Sequence, residues 1–490
     1  MTGATLPLAI LATSLVPALV TFFLRDRDRT LRNGLNLGGA LLKLSLIVFL
    51  LLDVAAGTLH EARFEFAPGL ELLLRVDALA LLFVTLSGSL WLATTVYAIA
   101  YFPANADLSR FFGFFSLCVF ATTGIALSGS LITFFVFYEL LTLSTWPLVV
   151  HKGDAKSLAA GRSYLAYALG GSAALLLAIV WLESGTGPIA FAEPADLRVH
   201  GDGALVAIFA LFIAGLGVKA VLVPLHGWLP RAMAAPAPVS ALLHAVAVVK
   251  SGAFGIVRIV HDVFGAGLVH ELGVGLPLAA LASVTILYGS VRALAQTDLK
   301  RRLAYSTVSQ VSYIVLGTAL AGPVATVGGL VHLVHQGLMK ITLFFCAGIF
   351  AERAGIHAIA ELDGIGPRMP WTATAFSVGA LGMIGIPPVA GFISKWYLGL
   401  GGMDAGAPWV LAVLAGSALL NAAYFLPVLY RIWFLPAARD LPDGALERPL
   451  GLIGPPVITA LAAIGAGVFA AAAFSPLGWA SLVVERFYTP

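Results

Sequence analysis

The chain has 490 residues, of which 60% are hydrophobic and 11% charged, with a net charge of +3. A soluble globular chain carries about 25% charged residues, so this composition excludes an ordinary soluble enzyme and indicates a chain solvated by lipid. The small, dispersed net charge excludes a basic surface for nucleic acid, and no polar stretch is long enough for a core of its own. We therefore predict a single membrane domain over residues 1–490.

Long apolar runs follow one another along the whole sequence. A hydrocarbon core of roughly 30 Å needs about 20 apolar residues in a helix, and these runs lack the strict alternation of membrane β-strands. We predict an all-α polytopic membrane protein with about fourteen transmembrane helices. The predicted spans are 5–24, 34–55, 76–100, 110–128, 130–150, 160–183, 203–223, 238–261, 270–294, 303–321, 323–351, 373–400, 408–434 and 451–475.

The distribution of basic residues predicts the orientation. The first apolar run is followed by Arg25, Arg27, Arg29 and Arg32, whereas a cleaved signal peptide has its positive charge before the apolar region. The first span is therefore expected to be retained. Lysine and arginine collect in cytoplasmic loops, and here they concentrate in alternate loops. We expect a bacterial inner membrane location with both termini on the outer side.

Five charged residues lie inside predicted spans: Glu139 in the fifth, Lys219 in the seventh, Lys250 in the eighth, Lys340 in the eleventh and Lys395 in the twelfth. A charge at mid-bilayer costs several kcal/mol, so it needs a reason. The structural explanation is that the side chain reaches a headgroup or joins an ion pair. That explanation is weakest for Glu139 and Lys250, which lie far from both ends of their spans.

Lys43, in the second span, is a sixth intramembrane charge. Its span carries no polar residue nearby except Ser45, and we favour the structural explanation for it. This lysine therefore serves as a reference that is expected to have no role in transport.

Histidines accompany two of the buried lysines. His244 precedes the lysine of the eighth span by almost two turns, and His332 and His335 precede that of the eleventh. A histidine in an apolar helix is usually a satisfied core residue. Because histidine titrates near neutrality, one that shares a helix with a buried lysine is a candidate proton relay.

Helix breakers lie beside two of the lysines. Pro224 follows Lys219, and Pro387 and Pro388 precede Lys395. Broken helices at membrane depth often mark ion sites in transporters built from inverted repeats. We predict broken helices 7 and 12 in two inverted five-helix repeats, spans 4–8 and 9–13. The predicted segments are an N-terminal three-helix segment (1–103), the repeats (110–261 and 270–434) and a final helix (451–475).

Several segments together resemble one family. The stretches FYELLTLSTWPLV, KAVLVPLHGWLP, APVSALLHAVAVVKSG, DLKRRLAYSTVSQVSYIVLG, HQGLMKITLFFCAG and GIPPVAGFISKW lie in family order between about Phe111 and Trp396. They resemble the proton-conducting antiporter-like subunits of respiratory complex I, Mrp sodium/proton antiporters and membrane-bound hydrogenases. Within that family the chain looks most similar to the D-type subunits of Mrp antiporters.

The resemblance implies roles for the buried charges. Glu139 would pair with Lys219, Lys250 would be the central proton site, and Lys395 would be the charged residue of the twelfth span. His332 and Lys340 match the eleventh-span pair. Two positions depart from the family pattern: Gln336 stands where a second histidine is common, and Arg231 stands where an acidic residue is usual.

Three functions remain open at this point. The first is a proton-translocating subunit, with or without Na⁺ antiport, of a multisubunit complex. The second is a proton-pumping subunit of a complex I-like or hydrogenase-like oxidoreductase, and the third is the membrane partner of an inorganic-carbon uptake complex. The expected partners are other membrane subunits, protons, Na⁺ in the antiport case, and lipid.

The sequence predicts no cofactor and no metal site in this chain. Its two cysteines, Cys118 and Cys346, lie far apart inside apolar runs, which argues against a Cys-rich zinc or iron–sulfur site. No glycine-rich dinucleotide motif follows a strand. Any redox chemistry would therefore belong to other chains, and whether the chain counts as part of an enzyme depends on its complex.

Overall fold

The computed structural model describes residues 4–55, 58–67, 70–102, 108–191, 193, 195–437 and 446–488. The helices and strands, in chain order, are α1 Thr5–Phe23, α2 Arg29–Ala55, β1 His60–Ala67, β2 Leu70–Val76, α3 Ala78–Tyr101, α4 Leu108–Leu127, α5 Leu131–Val149, α6 Ala155–Thr186, α7 Asp202–Lys219, α8 Trp228–Arg231, α9 Ala237–Ala241, α10 Val248–Arg258, α11 Gly265–Glu271, α12 Gly275–Leu294, α13 Leu299–Ala319, α14 Pro323–Ala354, α15 Pro370–Ile384, α16 Gly391–Asp404, α17 Trp409–Phe434, α18 Leu450–Val468 and α19 Pro476–Tyr488.

The predicted helical membrane fold is confirmed. Within the described residues, 12 helices are long and apolar enough to cross a membrane. Two further predicted spans escape that criterion for physical reasons: α13 is rich in serine, threonine and glutamine, and the twelfth span is divided into α15 and α16. The chain path is thus consistent with about fourteen crossings. The predicted segment boundary at residue 103 lies outside the described residues.

Short polar side chains define where several helices begin. The side chains of Asp77, Ser130, Asp154 and Asp298 accept hydrogen bonds from backbone N–H groups in the first turns of α3, α5, α6 and α13. The backbone N–H groups of a first turn have no hydrogen-bond partner inside the helix. At Asp154, hydrogen bonds from Ser157 hold the pKa of the carboxyl below its ordinary value. The caps fix the helix ends at the boundary between apolar and polar surroundings.

Both predicted broken helices are broken. The seventh span consists of α7 and the short α8, with Pro224 in the connection, and the twelfth consists of α15 and α16, with Pro387 and Pro388 in the connection. The eleventh predicted span, for which no break was predicted, is a single continuous helix, α14. The eighth span holds two π-helical turns, Leu242–Val246 and Ile259–Val263, on either side of α10.

Two elements lie outside the predicted pattern. The strands β1 and β2 form an antiparallel hairpin with His60 opposite Val76 and an irregularity near Glu65. After α18, the helix α19 packs against the start of α3, where the Trp479 indole donates to the Ala78 carbonyl at 3.2 Å. The connectivity places the hairpin and α19 at the same end of the bundle. The hairpin and α19 are formed by short or amphipathic stretches, which a search for 20-residue apolar runs does not detect.

The centre of the bundle is formed by the eighth span and α14. The apolar window of the eighth span is completely buried and that of α14 is 94% buried, against 28% for α2 and 33% for α17. Polar and charged side chains in the middle of these two helices are therefore surrounded by protein. The candidate site is built on them.

Candidate functional site

Lys250 lies on α10 at the centre of the bundle. Its side chain is 0% exposed, and its Nζ donates to the Leu333 carbonyl of α14 at 2.7 Å. The π-helical turn that ends at Val246 distorts the helix just before it, and such turns are frequent at functional sites. Among the described residues, no carboxylate forms an ion pair with this lysine. Its titratable neighbours are Lys340 and His332. The site holds a buried amine without a fixed counter-ion.

Lys340 and His244 form the next part of the site. Lys340, on α14, donates to the Ser306 hydroxyl and, at 3.4 Å, to the Leu303 carbonyl of α13. The Nδ1 of His244 is 2.9 Å from the Thr307 hydroxyl, and its ring lies 4.4 Å from that of Phe344. His244 is close enough to Lys340 for electrostatic interaction. Its Nε2 has no hydrogen-bond partner among the described residues.

His332 connects this group with the second broken helix. Its Nδ1 is 2.7 Å from the Ser394 hydroxyl of α16, and it interacts electrostatically with Lys250, Lys395 and His335. One turn further along α14, the amide of Gln336 is buried, and its two polar atoms have no partner among the described residues. Buried polar atoms of this kind are normally satisfied by protein or by water. The surroundings of α14 are therefore polar enough for bound water.

Lys395 holds the second break together. Its Nζ donates to the Met383 carbonyl at 2.8 Å and to the Ile384 carbonyl at 2.7 Å, the last carbonyls of α15. Its Nζ also lies 5.5 Å from the centre of the Tyr313 ring. The side chain is partly exposed in this chain. Lys395 therefore contributes both a charge and a cap to the broken helix.

Glu139 and Lys219 lie near each other but do not make the direct ion pair that the resemblance implies. Lys219, the last residue of α7, donates to the Tyr138 carbonyl at 2.5 Å, and its Nζ lies 3.3 Å from the centre of the Tyr138 ring. The Glu139 carboxylate accepts from the Ser172 hydroxyl of α6 and is only half-buried. The two charges still interact electrostatically. Glu139 thus points toward Ser172 of α6, whereas the Lys219 ammonium binds the Tyr138 carbonyl.

The site falls into two parts. Glu139 and Lys219 form one, and Lys250, Lys340, Lys395, His244 and His332 form the other, with His335 beside it. The parts meet at Gly252 of α10, where any side chain would collide with the backbone of Lys219 and Ala220. The roles predicted for the individual residues stay predictions.

Lys43 is not placed as the sequence suggested. Its side chain is 0% exposed, and its Nζ donates to the Ser14 hydroxyl at 3.1 Å and the Thr123 hydroxyl at 2.6 Å, 4.9 Å from the Trp91 ring centre. The explanation that the Lys43 side chain reaches a lipid headgroup is therefore wrong. Lys43 also forms no ion pair within the described residues. The hydroxyls come from other helices, which a search along the second span alone could not find.

Sequence reasoning also missed a buried ionic cluster at the end of the eighth span. Arg258 is 1% exposed and donates to Asp77 at 2.6 and 2.9 Å and to Asp262 at 2.8 Å. The i, i+4 spacing of Arg258 and Asp262 was the signal available in the sequence. Among the described residues, no group of His, Cys, Asp and Glu could hold a metal ion.

A helical bundle that buries lysines and histidines at its centre defines the class: a polytopic membrane protein with an intramembrane charged axis. Residues 128–420 match the family described as "NADH:quinone oxidoreductase/Mrp antiporter, TM". The chain belongs to this family, which confirms the predicted resemblance. The finer similarity to the D-type subunits of Mrp antiporters stays a prediction.

Individual relatives span the branches of the family. The chain is similar to NADH-quinone oxidoreductase subunit N of Desulforudis audaxviator, with 38% identity over 82% of each chain. It is 36% identical to hydrogenase-4 component B of Escherichia coli K12, over 68% of this chain but 51% of that longer relative. A chain in the structure of the Mrp complex from Dietzia sp. DQ12-45-1b superposes with a TM-score of 0.86 at 25% identity, covering 100% of this chain and 98% of that one.

Proposed function

We propose that this chain is a proton-translocating membrane subunit of a multisubunit complex, and that protons move along the buried lysine and histidine axis. Lys250 is the central proton site in this proposal. Lys340, His244 and His332 pass protons along α14, and Lys219 and Lys395 lie at the two helix breaks, with Glu139 modulating Lys219. His335 is a further relay candidate.

The placement of Lys250 carries the proposal. A fully buried amine with one backbone acceptor and no paired carboxylate among the described residues can lose and regain its proton without breaking an ion pair. Burial makes the charged form costly, so a small change in surroundings is enough to favour release. A change in the protonation of the neighbouring Lys340 supplies such a change. Lys43 is also buried without a carboxylate, and Lys250 differs from it by the neighbouring Lys340 and His332.

The family and the basic residues of the loops support a particular membrane location and orientation for the subunit. We propose a bacterial inner membrane location with both termini outside, because basic residues concentrate at the opposite end of the bundle. We also propose the division into segment 1–103, inverted repeats 110–261 and 270–434, and final helix 451–475. One feature supports the repeats: each contains one broken helix with a lysine at the break.

The energy source distinguishes two candidate functions. An Mrp-type antiporter would couple proton flow to Na⁺, and the superposition on a chain of an Mrp complex favours it. A complex I-like or hydrogenase-like pump would couple it to redox chemistry in partner subunits, and the similarity to the NADH-quinone oxidoreductase relative favours that alternative. Proton flux driven by an imposed Na⁺ gradient, measured without any electron donor, separates the two. An inorganic-carbon uptake partner would show neither dependence.

The test of the proposed function replaces Lys250 in the complex reconstituted in vesicles. Lys250→Met should lower proton transport at least about tenfold, which corresponds to about 1.4 kcal/mol in the barrier. Lys250→Arg should fail as well, because guanidinium stays protonated. Lys43→Met is the matched control: it removes an equally buried lysine off the axis and should leave transport unchanged in the assembled complex. Wild-type transport by Lys250→Arg would mean that the lysine acts only as a fixed charge.

A further inference from the structure

A polar cavity lies at the end of the bundle that carries the hairpin and α19. Its volume is about 440 Å³, and its walls include Asp77, Glu193, His261, Asp262 and Arg486. The second π-helical turn, Ile259–Val263, brings the adjacent residues His261 and Asp262 to this cavity. The cavity is separate from the lysine axis, and the proposed proton path uses none of its residues.

The environment of His261 indicates that the cavity accommodates water. The residue is only 9% exposed, yet neither ring nitrogen has a hydrogen-bond partner among the described residues. Its ring stacks on Phe487 of α19, with 4.8 Å between ring centres and 10° between the planes. An imidazole in a polar cavity of this size is normally satisfied by water. The cavity is therefore expected to hold water in contact with Asp262.

The charges around Asp262 do not balance. Asp262 faces Arg258 on its own helix, Asp77 before α3 and Arg75 on β2. Ion pairs of the hairpin continue from Arg75 to the rim of the cavity. Among the described groups of the cavity and these ion pairs, five carboxylates face four guanidinium groups: Asp77, Asp262, Glu61, Glu71 and Glu193 against Arg63, Arg75, Arg258 and Arg486. One negative charge is in surplus, and Asp262, whose side chain is only 4% exposed, is the carboxylate of this set that solvent stabilises least.

The other carboxylates nearest to Asp262 are held in their ionised form. Arg75 hydrogen-bonds Glu193 and keeps the pKa of its carboxyl below the ordinary value. Burial alone would raise the pKa of Asp77, but the charge and hydrogen bonds of Arg258 outweigh it, and the pKa lies below the ordinary value. Arg258 binds Asp77 through two nitrogens and Asp262 through one. Asp262 is thus the least firmly paired of these carboxylates.

We propose that Asp262 is a proton-exchange site, loaded and unloaded through the water-accessible cavity on the side of the membrane that carries the hairpin. A proton on Asp262 removes the surplus negative charge, and its loss restores it. The ring nitrogens of His261 can hydrogen-bond the same water. The wall formed by α19 limits access to the cavity.

This inference rests on the proposed function, and the test uses the assembled complex in vesicles of one orientation. The pH on the hairpin side is varied while that on the other side is held constant. Wild-type transport should change with this pH. Asp262→Asn keeps the size and an acceptor for Arg258 but holds no proton, so transport should fall at least about tenfold and no longer respond to pH on this side. Asp363→Asn removes the carboxylate of the Arg431 pair at the other end of the bundle and should leave this response unchanged.

Two further measurements fix the outcome. Asp262→Glu keeps a titratable carboxylate at a changed distance, so the pH response should persist with a shifted midpoint. This variant tests the inference independently if Asp262→Asn does not assemble. Infrared difference spectra after a pH change on this side should show a protonated carboxylic acid that is absent from Asp262→Asn. An unshifted midpoint in Asp262→Glu, or a wild-type response in Asp262→Asn while Lys250→Met is inactive, overturns the inference. Activity of Lys250→Met would instead contradict the proposed function.

Discussion

The two broken helices solve the same problem with different residues. A helix that ends inside the membrane leaves its last carbonyls without partners. At the first break, the Trp228 indole of α8 donates to the Val218 carbonyl at 2.8 Å, and the Thr285 hydroxyl accepts from the Val223 N–H at 3.1 Å. The ammonium of Lys219 is therefore free to reach across to α5.

At the second break the lysine itself supplies the missing donor. Lys395 donates to both Met383 and Ile384, and the Asn421 amide also donates to the Met383 carbonyl at 3.1 Å. Gly385 follows in the left-handed region, with a φ of 98° that favours glycine. A charge at a helix break can therefore cap the end of the helix or remain free to change its protonation state. Lys219 can change its state without loosening its own helix end, whereas Lys395 cannot.

The largest expected effect follows from replacing Lys219. Lys219→Met removes the charge that faces Glu139 but leaves the Trp228 cap in place, so transport should fall at least about tenfold. The free energy of unfolding should change by less than about 1 kcal/mol. The substitution removes a hydrogen bond, but it also removes the cost of burying the charge. Transport assays and denaturant unfolding of the purified complex measure the two quantities. Normal transport by this variant would remove the first break from the pathway.

Lys395 should show the opposite combination. Lys395→Met leaves two carbonyls at the end of α15 without their charged donor and should lower the free energy of unfolding by about 2–3 kcal/mol. Lys395→Arg retains donors and positive charge at the helix end, so stability should recover while transport does not. The same transport and unfolding assays measure both quantities. Recovery of both by arginine would show that this lysine serves the fold alone.

Trp228→Phe isolates the structural part of the first break. The ring remains, but the donor to the Val218 carbonyl is lost, which should lower the free energy of unfolding by about 1–2 kcal/mol. Transport per assembled complex should stay near the wild-type rate. If transport fell as far as in Lys219→Met at unchanged stability, the two breaks would not differ in the way described.

Tyr138→Phe should have the smallest effect. Lys219 binds the backbone carbonyl and the ring face of Tyr138, and phenylalanine keeps both. The hydroxyl makes only a 3.3 Å hydrogen bond to the Gly215 carbonyl, so stability should change by about 0.5 kcal/mol. A loss of transport above about threefold, equivalent to about 0.7 kcal/mol, would assign the hydroxyl a role that the geometry does not.

Most of the fold could be predicted because lipid imposes a strict requirement. Each crossing needs its own apolar run, so the spans and both proline breaks are visible in the sequence. The divided twelfth span and the polar α13 were found because the prediction did not require every span to be uniformly apolar. The hairpin and α19 leave no comparable signal, since neither spans the bilayer.

The candidate site was predictable in its residues but not in its contacts. A buried charge is conspicuous in an apolar run, which identified Lys250 and Lys340 without any structure. The partners of these charges come from other helices and are often backbone carbonyls, such as that of Leu333, which carry no sequence signal. Lys43 was misjudged for the same reason, because Ser14 and Thr123 lie on other helices.

The continuity of α14 has a mechanical consequence. His332, the carbonyl that binds Lys250, and Lys340 all belong to one uninterrupted helix of 32 residues, so they cannot be displaced independently. Leu333 and Lys340 are about 10 Å apart along its axis, and a tilt of about 10° would shift one by roughly 2 Å relative to the other. That distance is enough to exchange one hydrogen-bond partner for another. The helix therefore moves as one rigid body, and a displacement of one end changes the positions of these groups together.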